Sequence, residues 1–185
     1  MRVISGKLKG RRLQPVPNMK TRPTSDKVKE AVFHLIGPYF EGGLALDLFA
    51  GSGNLGIEAI SRGVDRAVFV DQQFKAIETI KFNIKQLGIE DQCEVYRNDA
   101  YRALKAASKR GIFFDYVFLD PPYKKFSYLE LLNQLEKLNL LNENALIVCE
   151  HTNDEQLPHS LENYKIIKQD HYSSLTSITI YRFGK

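Results

Sequence analysis

The chain has 185 residues, of which 43% are hydrophobic and 26% are charged, a composition that is ordinary for one globular domain. Its two cysteines, Cys93 and Cys149, exclude a disulfide framework and a cysteine-based zinc site. No apolar run approaches the ~20 residues that span a bilayer, and the first residues do not resemble a signal peptide. We therefore expect a cytoplasmic protein.

The net charge of +4 conceals an uneven distribution of charge along the chain. Residues 1–29 contain nine Lys or Arg residues and one acidic residue, whereas the remainder contains 17 basic and 21 acidic residues. A basic segment on a mildly acidic body favours a polyanionic partner, although a solvated, Lys-rich edge gives the same pattern. We predict a basic N-terminal arm, 1–23, and a globular body, 24–185.

The first predicted elements lie in the arm and directly after it. The arm is predicted to form a hairpin of two short strands, 2–5 and 11–14. Three prolines then keep the chain extended, and Thr24 or Ser25 is predicted to cap a helix that ends at Gly37. The apolar face of that helix follows helical spacing and comprises Val28, Ala31, Val32 and Leu35.

From residue 44 onward, short apolar strands alternate with helices. The predicted strands are 44–49, 66–71, 93–97, 114–119 and 145–150, and the predicted helices are 55–62, 74–87, 100–108 and 128–138. This alternation predicts an α/β, Rossmann-like fold with a mostly parallel sheet covered by helices on both faces. Two further strands, 164–168 and 176–183, have no helix between them. They should form an antiparallel hairpin at one edge of a seven-stranded sheet.

Glycines and acidic residues follow the predicted strands, where a parallel sheet binds its ligand. Gly51, Gly53 and Gly56 follow the first strand with G-x-G-x-x-G spacing, which lets the backbone approach a nucleoside cofactor closely. Asp71 ends the second strand, where a carboxylate can bind ribose hydroxyls. The glycines alone fit NAD, S-adenosylmethionine or a simple packing turn. We therefore treat them as a weak signal.

Asp47, at the end of the first strand, separates the candidate cofactors. Its carboxylate would repel a pyrophosphate, whereas S-adenosylmethionine has no phosphate and carries an amino group and a sulfonium. Two members of the predicted cofactor site have a structural alternative, because Asp99 also suits a helix cap and Phe49 suits a core. The predicted cofactor site comprises Asp47, Phe49, Gly51, Ser52, Gly53, Asp71, Asn98, Asp99 and Ala100.

The tetrapeptide Asp120-Pro121-Pro122-Tyr123 after the fourth strand is the most specific motif. Two prolines fix the backbone and remove two N–H donors. Asp120 and the Pro121 carbonyl can then accept hydrogen bonds from one planar amine, while Tyr123 stacks on its base. The structural alternative is a rigid turn with a buried tyrosine. We predict that these four residues are catalytic, and that there is no metal site because the histidines lack ligand-like spacing.

These motifs resemble a known group of enzymes. Residues 46–53 together with 120–123 resemble the class I S-adenosylmethionine-dependent amino methyltransferases, and residues 2–13 and 21–30 resemble the RsmD family of 16S rRNA guanine-N2 methyltransferases. The resemblance implies S-adenosylmethionine as cofactor and a guanine of 16S rRNA, naked or in an assembling small subunit, as target. One departure is Asp71, since we associate Glu with that position.

Phosphate contacts are predicted for the arm, which would make RNA binding depend on salt. The expected partner is therefore RNA, with no membrane and with the protein as a monomer. The residues predicted to bind RNA are Arg2, Lys7, Lys9, Arg11, Arg12 and Arg22.

Other functions remain open. A DNA adenine-N6 methyltransferase would use the same tetrapeptide but usually needs a target-recognition domain. A protein-glutamine methyltransferase has no reason for a basic arm. An NAD oxidoreductase does not explain Asp47 or residues 120–123, and a non-catalytic RNA-binding module does not explain the strand-end motifs.

Overall fold

The computed structural model describes residues 1–18, 25–122, 124–173 and 175–184. Seven strands form one sheet: β1 Leu44–Asp47, β2 Arg66–Asp71, β3 Cys93–Arg97, β4 Phe114–Leu119, β5 Leu141–Thr152, β6 Tyr164–His171 and β7 Thr176–Phe183. Their order is β3-β2-β1-β4-β5-β7-β6. The first five strands are parallel, and β7 is antiparallel to both β5 and β6. The predicted edge hairpin is confirmed.

Helices cover both faces of the sheet, with bounds α1 Asp26–Ile36, α2 Asn54–Ser61, α3 Phe74–Leu87, α4 Ala100–Lys109 and α5 Tyr128–Lys137. One core contains buried residues of α1, α2 and α3, and the other contains those of α4 and α5. Strand residues alternate between them, as the pleat requires: Phe69 lies in the first core, and Val68 and Val70 lie in the second. Within the described ranges, no helix is long and apolar enough to cross a membrane.

Helix α1 begins as predicted but buries a different face. The Ser25 hydroxyl caps the helix by accepting a hydrogen bond from the Val28 amide. Ala31 and Leu35 are only half-buried, whereas Lys29 is fully buried. The buried residues of the helix are Val28, Lys29, Val32, Phe33 and Ile36.

The described part of the N-terminal arm packs onto the body and has the predicted hairpin-like pairing, although 2–5 and 11–14 are not regular strands. An antiparallel bridge joins Arg2 to Arg12, and the Val3 amide donates to the Arg11 carbonyl at 2.9 Å. Other backbone groups of the arm pair with helix α2 or α3; the Lys7 amide, for example, donates to the Ser61 carbonyl of α2 at 2.8 Å. Val3 and Leu13 are buried in the first core. The arm is therefore bound to the body along its described length.

A buried group of charges fixes the arm to α1 and α2. The Glu58 carboxylate accepts hydrogen bonds from the backbone amides of Ile4 and Ser5 at 2.9 and 3.0 Å. It also pairs with the Lys29 ammonium at 3.0 Å and with the Arg62 guanidinium at 2.8 Å. Burial lowers the pKa of Lys29, and the charge of Glu58 opposes that shift. A buried carboxylate with this many partners stabilises one position of the arm.

Candidate active site

A cavity of about 900 Å³ opens where the parallel strands end. Residues after β1, β2, β3, β4 and β5 line it, as expected for an open parallel sheet. Met1 and Val16 of the arm form part of the same wall. The volume is near the upper end of the ~300–1,000 Å³ typical of small-molecule sites, so the cavity has room for a cofactor and for part of a second molecule.

The loop after β1 and the carboxylate of Asp71 hold each other in place. The Gly51 amide donates to Asp71 Oδ2 at 3.0 Å, and the Gln73 amide donates to Oδ1 at 2.8 Å. Gly51 has φ of +55°, and a Cβ added there would meet nothing within 4 Å, which leaves the loop open to a ligand. Each carboxylate oxygen keeps a second lone pair, so Asp71 can still accept from ribose hydroxyls.

Asp47 is buried under the same loop. Its Oδ2 accepts a hydrogen bond from the Gly56 amide at 3.0 Å. Burial raises the pKa of Asp47 to about 7, and the charge of Asp71 adds to the shift. A buried carboxyl that ionises reluctantly is stabilised in its charged form by a nearby cation. The site therefore fits a positively charged ligand such as the amino group or sulfonium of S-adenosylmethionine.

Two glycines of the G-x-G-x-x-G spacing act through packing. Gly53 has φ of +81° at the start of α2, and it does not line the cavity. A Cβ at Gly56 would lie 2.4 Å from the ring of Phe69, so this glycine permits the close approach of α2 to β2. The structure gives Gly53 a role in this turn, and its predicted contact with the cofactor stays a prediction.

The residues after β3 likewise include some that line the cavity and one that has a structural role. Asn98 and Ala100 line the cavity, whereas the Asp99 side chain caps α4 by accepting from the Arg102 amide at 3.1 Å. Asp99 does not line the cavity, which favours the structural alternative given for it above. Phe49 does line it, and its ring contacts that of Phe126 at 4.8 Å between centroids.

The predicted catalytic motif faces the same cavity. Asp120, Pro121 and Pro122 line it, and Tyr123 lies outside the described residues. Although Asp120 is exposed to the cavity, loss of surrounding water raises the pKa of its carboxyl, and the charges of Glu150 and Asp47 act in the same direction. Asp120, Pro121 and Pro122 therefore line the same cavity as Asp47 and Asp71.

The end of β5 contributes residues that the sequence analysis missed. Glu150, His151 and Glu155 line the cavity. The position of Glu150 at the end of an apolar predicted strand was the available signal, because acidic residues at or directly after strand ends had been selected on earlier strands. Among the described residues, no group of His, Cys, Asp and Glu could hold a metal ion.

The imidazole of His151 has a structural role. Nδ1 lies 2.8 Å from the Thr152 carbonyl oxygen, and Nε2 lies 2.9 Å from the Thr179 hydroxyl. Burial lowers the pKa of His151, which favours the neutral ring. The hydroxyl of Tyr128 donates to the Glu150 carbonyl. These contacts fix the end of β5 beside the cavity.

The basic side chains predicted to bind RNA are exposed where the structure describes them. Three of these side chains contact other residues of the chain: Arg2 pairs with Asp26, Lys7 donates to Gln92, and Arg11 donates to the Gln86 carbonyl. The side chains of Lys9 and Arg12 make no hydrogen bond or ion pair with the part of the chain that the structure describes. Arg22, also predicted to bind RNA, lies outside that part.

Comparison with known proteins identifies the family. The family model described as Conserved hypothetical protein 95 matches residues 1–182. The chain is 50% identical to the protein YlbH of Bacillus subtilis over 182 residues, which are 98% of each chain. It is 34% identical to ribosomal RNA small subunit methyltransferase D of Haemophilus influenzae over 183 residues, 98% of this chain and 92% of the relative. The chain belongs to the RsmD family.

The RsmD fold extends over the whole chain. The solved structure of the Escherichia coli protein YhhF superposes with a TM-score of 0.84 at 29% identity and covers 100% of this chain and 98% of its own. RsmD proteins are S-adenosylmethionine-dependent methyltransferases, so the protein is an enzyme of this class. The open alternatives of an NAD oxidoreductase and a non-catalytic RNA-binding module are therefore wrong.

Proposed function

We propose that this methyltransferase transfers a methyl group from S-adenosylmethionine to the exocyclic N2 amine of a guanine in small-subunit ribosomal RNA. The observation that carries the proposal is that Asp120 and Pro121 line the same cavity as Asp47 and Asp71. An amine held by the first pair lies beside a cofactor held by the second. The relatives named above support ribosomal RNA as the substrate.

The part of the cavity around Asp47 and Asp71 suits the positive charge of S-adenosylmethionine, the methyl donor. Asp47 would hold a cationic group of the donor and Asp71 its ribose, and the Gly51 turn would allow close contact. When bound, S-adenosylmethionine supplies a methyl group on a sulfonium that leaves as a neutral thioether. No nucleophilic side chain is required, so the protein acts mainly by positioning.

The part of the cavity around Asp120 and Pro121 has to activate a weak nucleophile, the exocyclic amine of guanine. The lone pair of guanine N2 is delocalised into the ring. Hydrogen bonds from this amine to the Asp120 carboxylate and the Pro121 carbonyl turn its lone pair toward the methyl group. With the donor bound, the amine nitrogen would take the methyl group as the sulfur–carbon bond breaks, and the amine would then lose one proton. The raised pKa of Asp120 makes it a suitable acceptor for that proton.

The arm provides the surface for the RNA backbone. Lys9 and Arg12 are exposed, and Met1 of the same segment lies on the cavity wall. A phosphate chain bound along the arm therefore passes close to the cavity mouth. A ribosomal substrate also implies a cytoplasmic enzyme. The division into an arm and a body, the monomeric state and the absence of a metal stay predictions, as do the roles of Tyr123 and Arg22.

Transfer of a radioactive methyl group tests the proposal. The purified protein should label small-subunit rRNA or its assembly particles from unmethylated cells, and nucleoside analysis should find N2-methylguanosine. Asp120→Asn should abolish most of the label, whereas Asp91→Asn, an exposed carboxylate outside the cavity, should not. Label in another nucleoside or in protein only would contradict the proposal, as would its absence from both substrates.

A further inference from the structure

The pairing of β4 with β5 places two carboxylates side by side at the cavity. Leu119 is the register partner of Cys149 in this parallel pair. The next residues along each strand are Asp120 and Glu150, and neighbouring strands lie ~4.8 Å apart. Leu119 and Cys149 both point into the core shared with α4 and α5. The alternation of strand side chains therefore turns Glu150, within β5, to the opposite side. Asp120 directly follows β4, and both carboxylates line the cavity.

Glu150 is held more firmly than a loop residue would be. It lies within β5, opposite Ile178 of the antiparallel strand β7, and its carbonyl accepts from Tyr128. The charge of Glu150 also raises the pKa of Asp120. Two adjacent carboxylates repel each other, and a ligand edge that presents several N–H donors reduces that repulsion.

Guanine has such an edge, and adenine does not. In guanine, the N1–H lies next to the N2 amine, so donors stand side by side along the Watson–Crick edge. In adenine, N1 is an acceptor with a lone pair, which a carboxylate repels. A base that is held for chemistry is commonly recognised through this edge.

We infer that Glu150 determines specificity for guanine by accepting the N1–H of the target base while Asp120 accepts its N2 amine. The inference rests on the function proposed above, because it requires an exocyclic amine bound at Asp120. It gives a role to Glu150 of β5, which lies outside the tetrapeptide motif at 120–123. It also explains how the acceptor site excludes the adenine amine, whose neighbouring ring nitrogen has no proton.

The test replaces the N1–H of the substrate and the carboxylate of the enzyme in one double-mutant cycle. Small-subunit particles are reconstituted with guanine or 2-aminopurine at the methylated position. The analogue keeps the N2 amine but has an acceptor at N1. Wild-type enzyme should prefer guanine in kcat/KM by more than about tenfold, the discrimination expected of one good base contact.

Glu150→Gln should reduce that preference at least about tenfold, because its amide can donate to N1 of the analogue. Glu150→Asp keeps an acceptor and should retain the preference at a lower rate. Glu143→Gln, an exposed change near the other end of β5, is the matched control and should behave as wild type. Thermal unfolding and S-adenosylhomocysteine affinity show that each variant is folded.

The outcomes separate the two proposals. If wild-type enzyme does not form N2-methylguanine on the guanine particle, the proposed function is wrong, and the specificity inference is wrong with it. If it does, but Glu150→Gln lowers kcat/KM equally for both particles, Glu150 only shapes the cavity and the inference alone is overturned. The same conclusion follows if the preference of Glu150→Gln equals that of wild type.

Discussion

Asp47 should make binding of S-adenosylhomocysteine about tenfold weaker at pH 6 than at pH 8. Its carboxyl has a pKa of about 7 in the unliganded protein, because it is buried and close to Asp71. The acid is then about nine-tenths protonated at pH 6 and about one-tenth protonated at pH 8. The amino group of the ligand binds the ionised form, so affinity rises with pH until Asp47 is fully charged.

Isothermal titration calorimetry in buffers of different ionisation enthalpy measures both the affinity and the proton exchange. At pH 7, binding should release about half a proton, as expected for a group at its pKa that ionises on binding. Asp47→Asn should bind more weakly at pH 8 and should lose the release. Asp120→Asn should retain it, which separates the two carboxyls with raised pKa values. Proton uptake, or an unchanged pH dependence in Asp47→Asn, would refute the reasoning.

Three other perturbations test the catalytic motif, the arm and the buried charges. Asp120→Asn should lower kcat at least about 100-fold while S-adenosylhomocysteine affinity changes less than twofold; an equal loss of affinity would assign Asp120 to the cofactor. Changing both Lys9 and Arg12 to Gln should make the slope of log K against log salt for RNA shallower by about 1.5, and equal slopes would remove both from the RNA surface. Glu58→Gln should cost about 3–5 kcal/mol in chemical denaturation because Lys29 stays buried without its counter-charge; a cost below 1 kcal/mol would contradict that role.

The strand and helix pattern of the body could be predicted because local sequence determines it. The observed bounds of β2, β3, β4, β7 and α3 agree with the predicted ones, since each is an apolar pattern closed by polar residues or glycine. Strand β5 extends further at both ends than predicted. Its first residues include Asn142 and Asn144, which do not show a strand pattern; the Asn142 side chain donates to Asp115, and Asn144 has φ of +64°.

Tertiary contacts account for what the sequence did not predict. The helical spacing of α1 does not reveal that Lys29 is buried, because its partner Glu58 lies far along the chain. At the site, the strand-end criterion found Asp47, Asp71 and Asp120, all of which line the cavity. The strand-end criterion does not show whether a selected side chain points into the cavity. Asp99, which it also selected, caps a helix instead.

The contacts of the arm also determine when the surface that we propose for RNA can form during folding. The amide of Ile4 binds a carboxylate 54 residues later, and Gln14 binds Asn83, 69 residues later. Contacts across so many residues form only after the intervening loop has closed, and they tend to form slowly. During synthesis the arm emerges before α2 and α3, and it cannot take its final position until both helices have been synthesised. The surface proposed to bind RNA is thus completed only after the loop that follows β1 has been synthesised, and a chain interrupted earlier would present neither.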